Sequence, residues 1–285
     1  MAINIRNNYN HTLIASYIGY ITQAIINNFA PLLFITFQNT YNIPLIKITL
    51  LITVNFGIQL LVDLLAAKFV DKIGYRISIV AAHFFAAAGL VGLGIFPELF
   101  TDPYTGLALA VSIYAIGGGL IEVLVSPIVE ACPTDKKSAA MSLLHSFYCW
   151  GHVLVILLST LFFTVFGIEN WKILAYIWAL IPFFNAFYYW QVPIGKLTED
   201  GESMPVNELL TTKMFWIFVM LMICSGASEQ AMSQWASAFA EAGLKLPKTA
   251  GDILGPCTFA ILMGSSRVFY SKFSEKNQSR AVYGA

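Results

Sequence analysis

A carboxylate, Glu122, stands in the middle of an apolar run that opens on three glycines and ends at Glu130 and Pro133, within Gly117 to Pro133 (GGGLIEVLVSPIVEACP). A charge at the centre of a membrane-length apolar segment costs about 2.5–3.5 kcal/mol on insertion scales. It persists where function uses it or a partner neutralises it. The chemistry it fits is proton exchange: charged when empty, neutral when loaded, and able to bond a hydroxyl. The alternative is a structural glutamate bonded to a neighbouring helix. Glu229, in a later apolar run, is a second such carboxylate, read either as a coupling group or as one end of an interhelical contact. Gln23 and Asn27 lie one turn apart in the first apolar run, and Gln230 and Gln234 repeat that spacing beside Glu229. An amide offers donors and acceptors together, which suits a hydroxylated solute. It equally glues helices in lipid. His145, Tyr148, Cys149 and His152 share one helical face by three- and four-residue spacing; His145 and Tyr148 are placed to touch a solute or to bond a neighbour. Trp178 and Trp235 carry flat apolar faces on which a sugar ring can stack, although aromatic residues make up 14% of the chain and most must face lipid or core. Asp63, close to the end of its apolar run, reads as directed at the adjoining loop.

The elements that must position these groups are membrane spans. The chain has 285 residues, of which 58% are hydrophobic and only 11% charged, against about 25% charged in soluble domains. A span needs roughly 20 apolar residues. Eight candidates follow: Thr12–Phe37, Ile46–Phe69, Ile77–Phe96, Tyr104–Ala131, Ala139–Phe166, Trp171–Val192, Met214–Ala240 and Ala250–Tyr270. A polar stretch, 193–213, separates the sixth from the seventh. The N-terminus shows no cleavable signal-peptide pattern, so the first span reads as an uncleaved anchor. Lys and Arg concentrate on the cytoplasmic side of membrane proteins. With the N-terminus inside, Arg6, Lys68, Lys72, Arg76, Lys136, Lys137, Lys196, Lys213, Arg267, Lys272, Lys276 and Arg280 lie at that side, and only Lys47, Lys172, Lys245 and Lys248 lie opposite.

The pattern then repeats. Lys68-Phe-Val-Asp-Lys72 closes the second span and Lys272-Phe-Ser-Glu-Lys276 the eighth; Thr22-Gln-Ala-x-x-Asn27 in the first is echoed by Glu229-Gln-Ala-x-x-Gln234 in the seventh. Asp63 has Arg267 as its positional echo. Parallel repeats joined by a cytoplasmic loop are a transporter plan, and on that plan four more spans would follow Lys276. The expectation is therefore a transporter shortened at its C-terminus, or a fragment of one.

The loop after the second span, Ala67-x-x-x-Asp71-Lys72-x-Gly74-Tyr75-Arg76, resembles the G-x-x-x-D-[RK]-x-G-[RK] loop of the major facilitator superfamily, with Ala67 in place of the first glycine. That resemblance implies a cytoplasmic gating network of Asp71, Lys72, Gly74 and Arg76, which Glu130 and Lys137 can join; ordinary charged turn residues are the alternative. Glu122-x-x-x-Ser126-Pro127 resembles the E-x-x-x-N-P of the fucose–galactose–glucose proton symporter group, and Leu143–Gly151 is similar to that group's fifth-span pattern. The resemblance implies an all-α integral membrane fold: a six-helix N-terminal bundle over 1–192, a cytoplasmic loop over 193–213, the first two helices of a second bundle over 214–276, and a tail over 277–285. It also implies substrate contacts from Gln23, Asn27, Glu122, His145, Tyr148, Gln230, Gln234 and Trp235, and proton coupling through Glu122. The group carries an acid in its first span. Here that region is Ile26-Asn27-Asn28-Phe29, with no carboxylate. Glu229 is a candidate replacement, and the coupling cation, proton or sodium, stays open.

The expected function is cation-coupled transport of a sugar or similar small polar solute by alternating access. The other readings are a drug or other solute exporter of the same superfamily, and a shortened membrane protein that no longer transports. The amides and His145 favour a hydroxylated solute over the apolar lining of an exporter. No HExxH, GxSxG or GxxxxGK[ST] occurs, so no enzyme is expected. The formal net charge is zero, with no basic block, so nucleic acid is not an expected partner. Cys132, Cys149, Cys224 and Cys257 stand singly, which indicates neither a disulfide framework nor a metal site. No cofactor is expected. The Asn- and Ile-rich usage points to a bacterial cytoplasmic membrane.

Overall fold

The computed structural model describes residues 5–133, 137–195 and 206–269, with the backbone alone described for 67, 68, 71, 138, 139, 206, 207 and 209. All secondary structure among them is helical. Lipid offers no hydrogen-bonding partner, so an apolar chain crossing it must close its backbone bonds within each segment. The helices are α1 (Tyr9–Asn28), α2 (Phe34–Tyr41), α3 (Leu45–Ile73), α4 (Tyr75–Leu99), α5 (Pro103–Glu130), α6 (Lys137–Phe166), α7 (Trp171–Gln191), α8 (Val206–Thr211), α9 (Lys213–Ala242) and α10 (Lys248–Asp252). A π turn, Ile253–Cys257, follows α10, and the chain stays helical over 258–269. Seven of the described segments are long and apolar enough to cross a membrane, and α1 and α2 together make the first, Tyr9–Tyr41.

The ends of these helices follow local chemistry. Asn8 accepts the Asn10 N–H at 2.9 Å and Asp102 accepts the Tyr104 N–H at 3.1 Å, each capping a helix start. Gly74, at φ +93°, turns the chain directly from α3 into α4, a backbone that other residues rarely adopt. Pro31 interrupts the first span: the helix narrows to a 3-10 turn over Ala30–Leu33 before α2 resumes. The apolar run of the second span ends at Phe69, but α3 continues to Ile73. This leaves Asp63 well inside the helix.

Helix α4 packs along α5 and α7, α3 packs on α5, and α1 runs against α5, α6 and α7 at the centre. The α4–α5 crossing is set by glycine. A Cβ on Gly89 would overlap the Tyr114 backbone nitrogen, and one on Gly117 would come within 2.5 Å of the Ala82 carbonyl oxygen. Small residues let backbones approach in this way, and packing is what drives helix association in lipid. A buried polar knot ties α1, α4 and α7. Asn185 Nδ2 donates to Ala15 O (3.0 Å) and His83 Nε2 (2.9 Å), and Tyr189 donates to Ser16 Oγ (3.0 Å). His83 is thus a packing residue. Trp178 is buried with its Nε1 on Ser159 Oγ at 3.2 Å, so its ring serves the α6–α7 contact and is not offered to a solute. The outward faces carry large apolar side chains such as Leu161, Val165 and Phe184.

Overpacking a tight crossing costs about 1–3 kcal/mol or more. Gly117→Val is therefore expected to lower the melting temperature and the monodisperse yield in detergent. Gly57→Ala, where no atom lies within 4 Å of the added carbon, leaves both unchanged. Equal behaviour of the two variants in a thermal-ramp size-exclusion assay would contradict this account of the crossing.

Candidate functional site

Proline has no N–H, so Pro31 leaves the carbonyl of Asn27, four residues earlier, without its helical donor. Gln234 of α9 supplies one: its Nε2 donates to Asn27 O at 2.9 Å and to Gln230 Oε1 at 3.4 Å. Asn27 and Gln234 are equivalent positions of the sequence repeat, so the two repeats meet at matching residues. At the start of α2, Phe34 packs on Trp235, the neighbour of Gln234, with ring centroids 5.5 Å apart. Together these contacts close a ceiling between the first six spans and α9.

Below that ceiling lies a cavity of about 470 Å³, lined by Tyr20, Gln23, Asn27, Phe56, Gln59, Leu60, Asp63, Glu122, His145, Tyr148, Met222, Glu229, Gln230 and Arg267. Six of the eight residues read from the sequence as substrate contacts line it. Gln234 and Trp235 sit in its ceiling instead. Gln23 Nε2 donates to Glu122 Oε2 and to Gln59 Oε1, both at 3.1 Å. Gln59 Nε2 donates to Asn27 Oδ1 and Asn55 Oδ1, both at 2.9 Å, and Asn55 Nδ2 reaches Asn27 Oδ1 at 3.3 Å. Glu122 is thus the end of a four-amide ladder joining α1, α3 and α5. Gly118 makes the room: a Cβ there would stand 3.1 Å from Gln23 Oε1. Gln23 Oε1 itself is buried without a hydrogen-bond partner. Tyr20 bonds Ser126 at 2.9 Å and lies 5.4 Å, ring to ring, from His145.

Three carboxylates, Asp63, Glu122 and Glu229, and one guanidinium, Arg267, face this space. The expectation that Asp63 points to the loop is corrected here. Its helix runs on past the apolar stretch, which brings Asp63 to the cavity wall. Asn55, Gln59 and Asp63 recur every fourth residue of α3, a polar stripe that was available in the sequence. His152 is buried with neither ring nitrogen bonded, away from the cavity.

Membrane-length helices gathered around a polar cavity, with repeat-equivalent residues in contact, are accompanied by a match to the Major Facilitator Superfamily over residues 12–285. The chain belongs to that superfamily. It is a multi-pass integral membrane protein and a secondary transporter of small molecules, not an enzyme. No curated protein matches the chain closely.

In the superfamily's loop motif, the described partners of Arg76 are backbone carbonyls. Arg76 Nη1 donates to Tyr189 O at 3.0 Å and Trp190 O at 2.8 Å. The last carbonyls of α7 lack helical donors and draw a cation. Lys72 is exposed, and so is Glu130, which forms no ion pair among the described residues. The side chain of Asp71 lies outside the described residues, as do Lys136, Lys196 and the 270–285 segment.

Orphaning a buried acceptor costs about 1–3 kcal/mol. Gln234→Leu should therefore lower the melting temperature clearly in the native chain, and much less alongside Pro31→Ala, which restores the missing N–H. Equal losses in the two backgrounds would show that Gln234 does not serve the Asn27 carbonyl.

Proposed function

We propose that this transporter carries a monosaccharide or similar hydroxylated solute into a bacterial cell, coupled to a proton or sodium ion, with its N-terminus in the cytoplasm. The observation that supports this most is the ladder ending on Glu122. Four amides hold one another by their own hydrogen bonds, so each is fixed before a solute arrives. Fixed donors and acceptors need no ordering on binding, which conserves affinity for a polyol. An apolar exporter substrate would offer no partner to Gln23 Oε1, the ladder oxygen that is buried without one.

Glu122 is the coupling residue in this reading. A carboxylate is costly to carry through a dry intermediate. Loading with a cation removes that cost, so the loaded carrier moves and the half-loaded one does not. Asp63 and Glu229 share the cavity and keep a loading cation near Glu122. Arg267 balances part of their charge when no cation is bound. The Lys and Arg bias of the loops supports the orientation. In that orientation the Gln234–Asn27 ceiling lies towards the outside, and the cavity faces the cytoplasm.

Glu122→Gln keeps an oxygen for the Gln23 donor and removes the charge. It is expected to lose uphill accumulation, by at least about tenfold if one coupling group is removed, while keeping solute counterflow within about twofold of the native rate. The check is uptake of a labelled monosaccharide panel in vesicles under imposed proton and sodium gradients. Full accumulation by the variant would remove Glu122 from coupling.

A further inference from the structure

At the end of α9 away from the cavity, a second polar cluster crosses between the first six spans and the last two. Asp252 is fully buried. Its Oδ2 accepts from Thr160 of α6 at 3.0 Å. Its Oδ1 accepts from Ser237 of α9 and from Lys248 at 3.2 Å. Lys248 Nζ also donates to the Leu32 carbonyl, in the 3-10 turn of the first span, at 2.7 Å. Two bonds therefore pass between the two groups of helices: Thr160 to Asp252, and Lys248 to Leu32.

The cluster caps a dry seam. Along α6, Val153 and Ile156 precede Thr160 on one face; opposite them Cys257 and Ala260 follow Asp252, and all four are buried in one apolar cluster with Leu32. The π turn makes this register possible. Pro247 follows Pro44 by 203 positions, and both begin their helices with the same extended backbone (ψ 142°). Arg267 follows Asp63 by 204. The extra residue falls where Ile253–Cys257 widens to a π turn around Pro256, as such turns absorb insertions at functional places. On the other side of the cluster lies a cavity of about 440 Å³, lined by Thr36, Asn39, Thr164 and Glu241 together with Lys248 and Asp252. The ion pair is thus the partition between an open vestibule of mixed lining and an apolar seam.

We propose that Asp252, with Lys248 and Thr160, is the latch that shuts this end of the carrier, and that its release admits solute from the vestibule. The physics suits a latch. A complete buried pair is close to break-even, because attraction offsets desolvation, so the closed state holds without trapping the carrier. Loss of one partner leaves an uncompensated charge and opens the seam. The proposal rests on the superfamily's movement between two states and not on which solute moves, so it fails or stands apart from the sugar reading.

The native cysteines report on it. Cys257 is buried in the seam, and Cys132 is buried just past the end of α5. Maleimide alkylation of the full chain in nanodiscs, read by peptide mass spectrometry, gives each rate. Asp252→Ala should speed Cys257 at least about tenfold over the native chain, the population shift that a lost buried pair implies, while Cys132 stays slow. Thr160→Val, which keeps the ion pair, should speed it at least about fivefold, because it leaves Asp252 Oδ2 without its donor. It carries the test by itself if Asp252→Ala does not fold. An unchanged Cys257 rate in a folded variant overturns the latch, as does a parallel rise of Cys132, which would mark general loosening.

Discussion

Lipid gives a backbone no partner, and that constraint organises this molecule. Wherever a helix is interrupted, another part of the chain must supply the missing bond. Pro31 interrupts the first span, and the open carbonyl it leaves at Asn27 is where Gln234 attaches. Three residues after Asn27 the 3-10 turn begins, and it presents the Leu32 carbonyl to Lys248. Pro256 interrupts the last described helix, and the π turn beside it aligns Asp252 with Thr160. Helix defects in the two repeats are thus the points at which the repeats hold each other. A joint of few polar bonds around a small apolar seam can be made and broken, which a carrier requires.

The cavity depends on the same joint. Its ceiling is the Gln234–Asn27 contact, and Asn27 is also the far rung of the ladder that fixes Glu122. Asn27 therefore touches both the contact with α9 and the cavity. A solute that pulled on the Asn27 side chain would act on a residue whose backbone is part of the closure. Differential contact of this kind is what a ligand needs in order to shift a conformational equilibrium.

Much of the fold was legible because membrane spans announce themselves by length and apolarity. Glu122, Gln23 and Asn27 were legible because polar groups are rare in such spans. Other features needed the third dimension. Asp63 reads as a loop residue while the apolar run is taken to end at Phe69, and as a cavity residue once α3 is seen to reach Ile73. Trp178 and Trp235 carry the same apolar ring, and only packing tells that one faces Ser159 and the other Phe34. Arg76 sits in a loop motif, but that it also binds the carbonyl end of α7 needs the fold. Gln234 acts on an atom 207 positions away. The missing donor that makes the atom available is written in Pro31, but the identity of the replacement is not.

The central claim is that loading neutralises Glu122. Proton exchange on solute binding tests it most directly. Purified transporter in weak buffer would be mixed with a monosaccharide from the uptake panel, and the pH followed by an indicator dye. The account predicts uptake of a proton with each bound solute, absent in Glu122→Gln, or an equivalent requirement for sodium ions with no pH change. Binding that needs neither ion would contradict it.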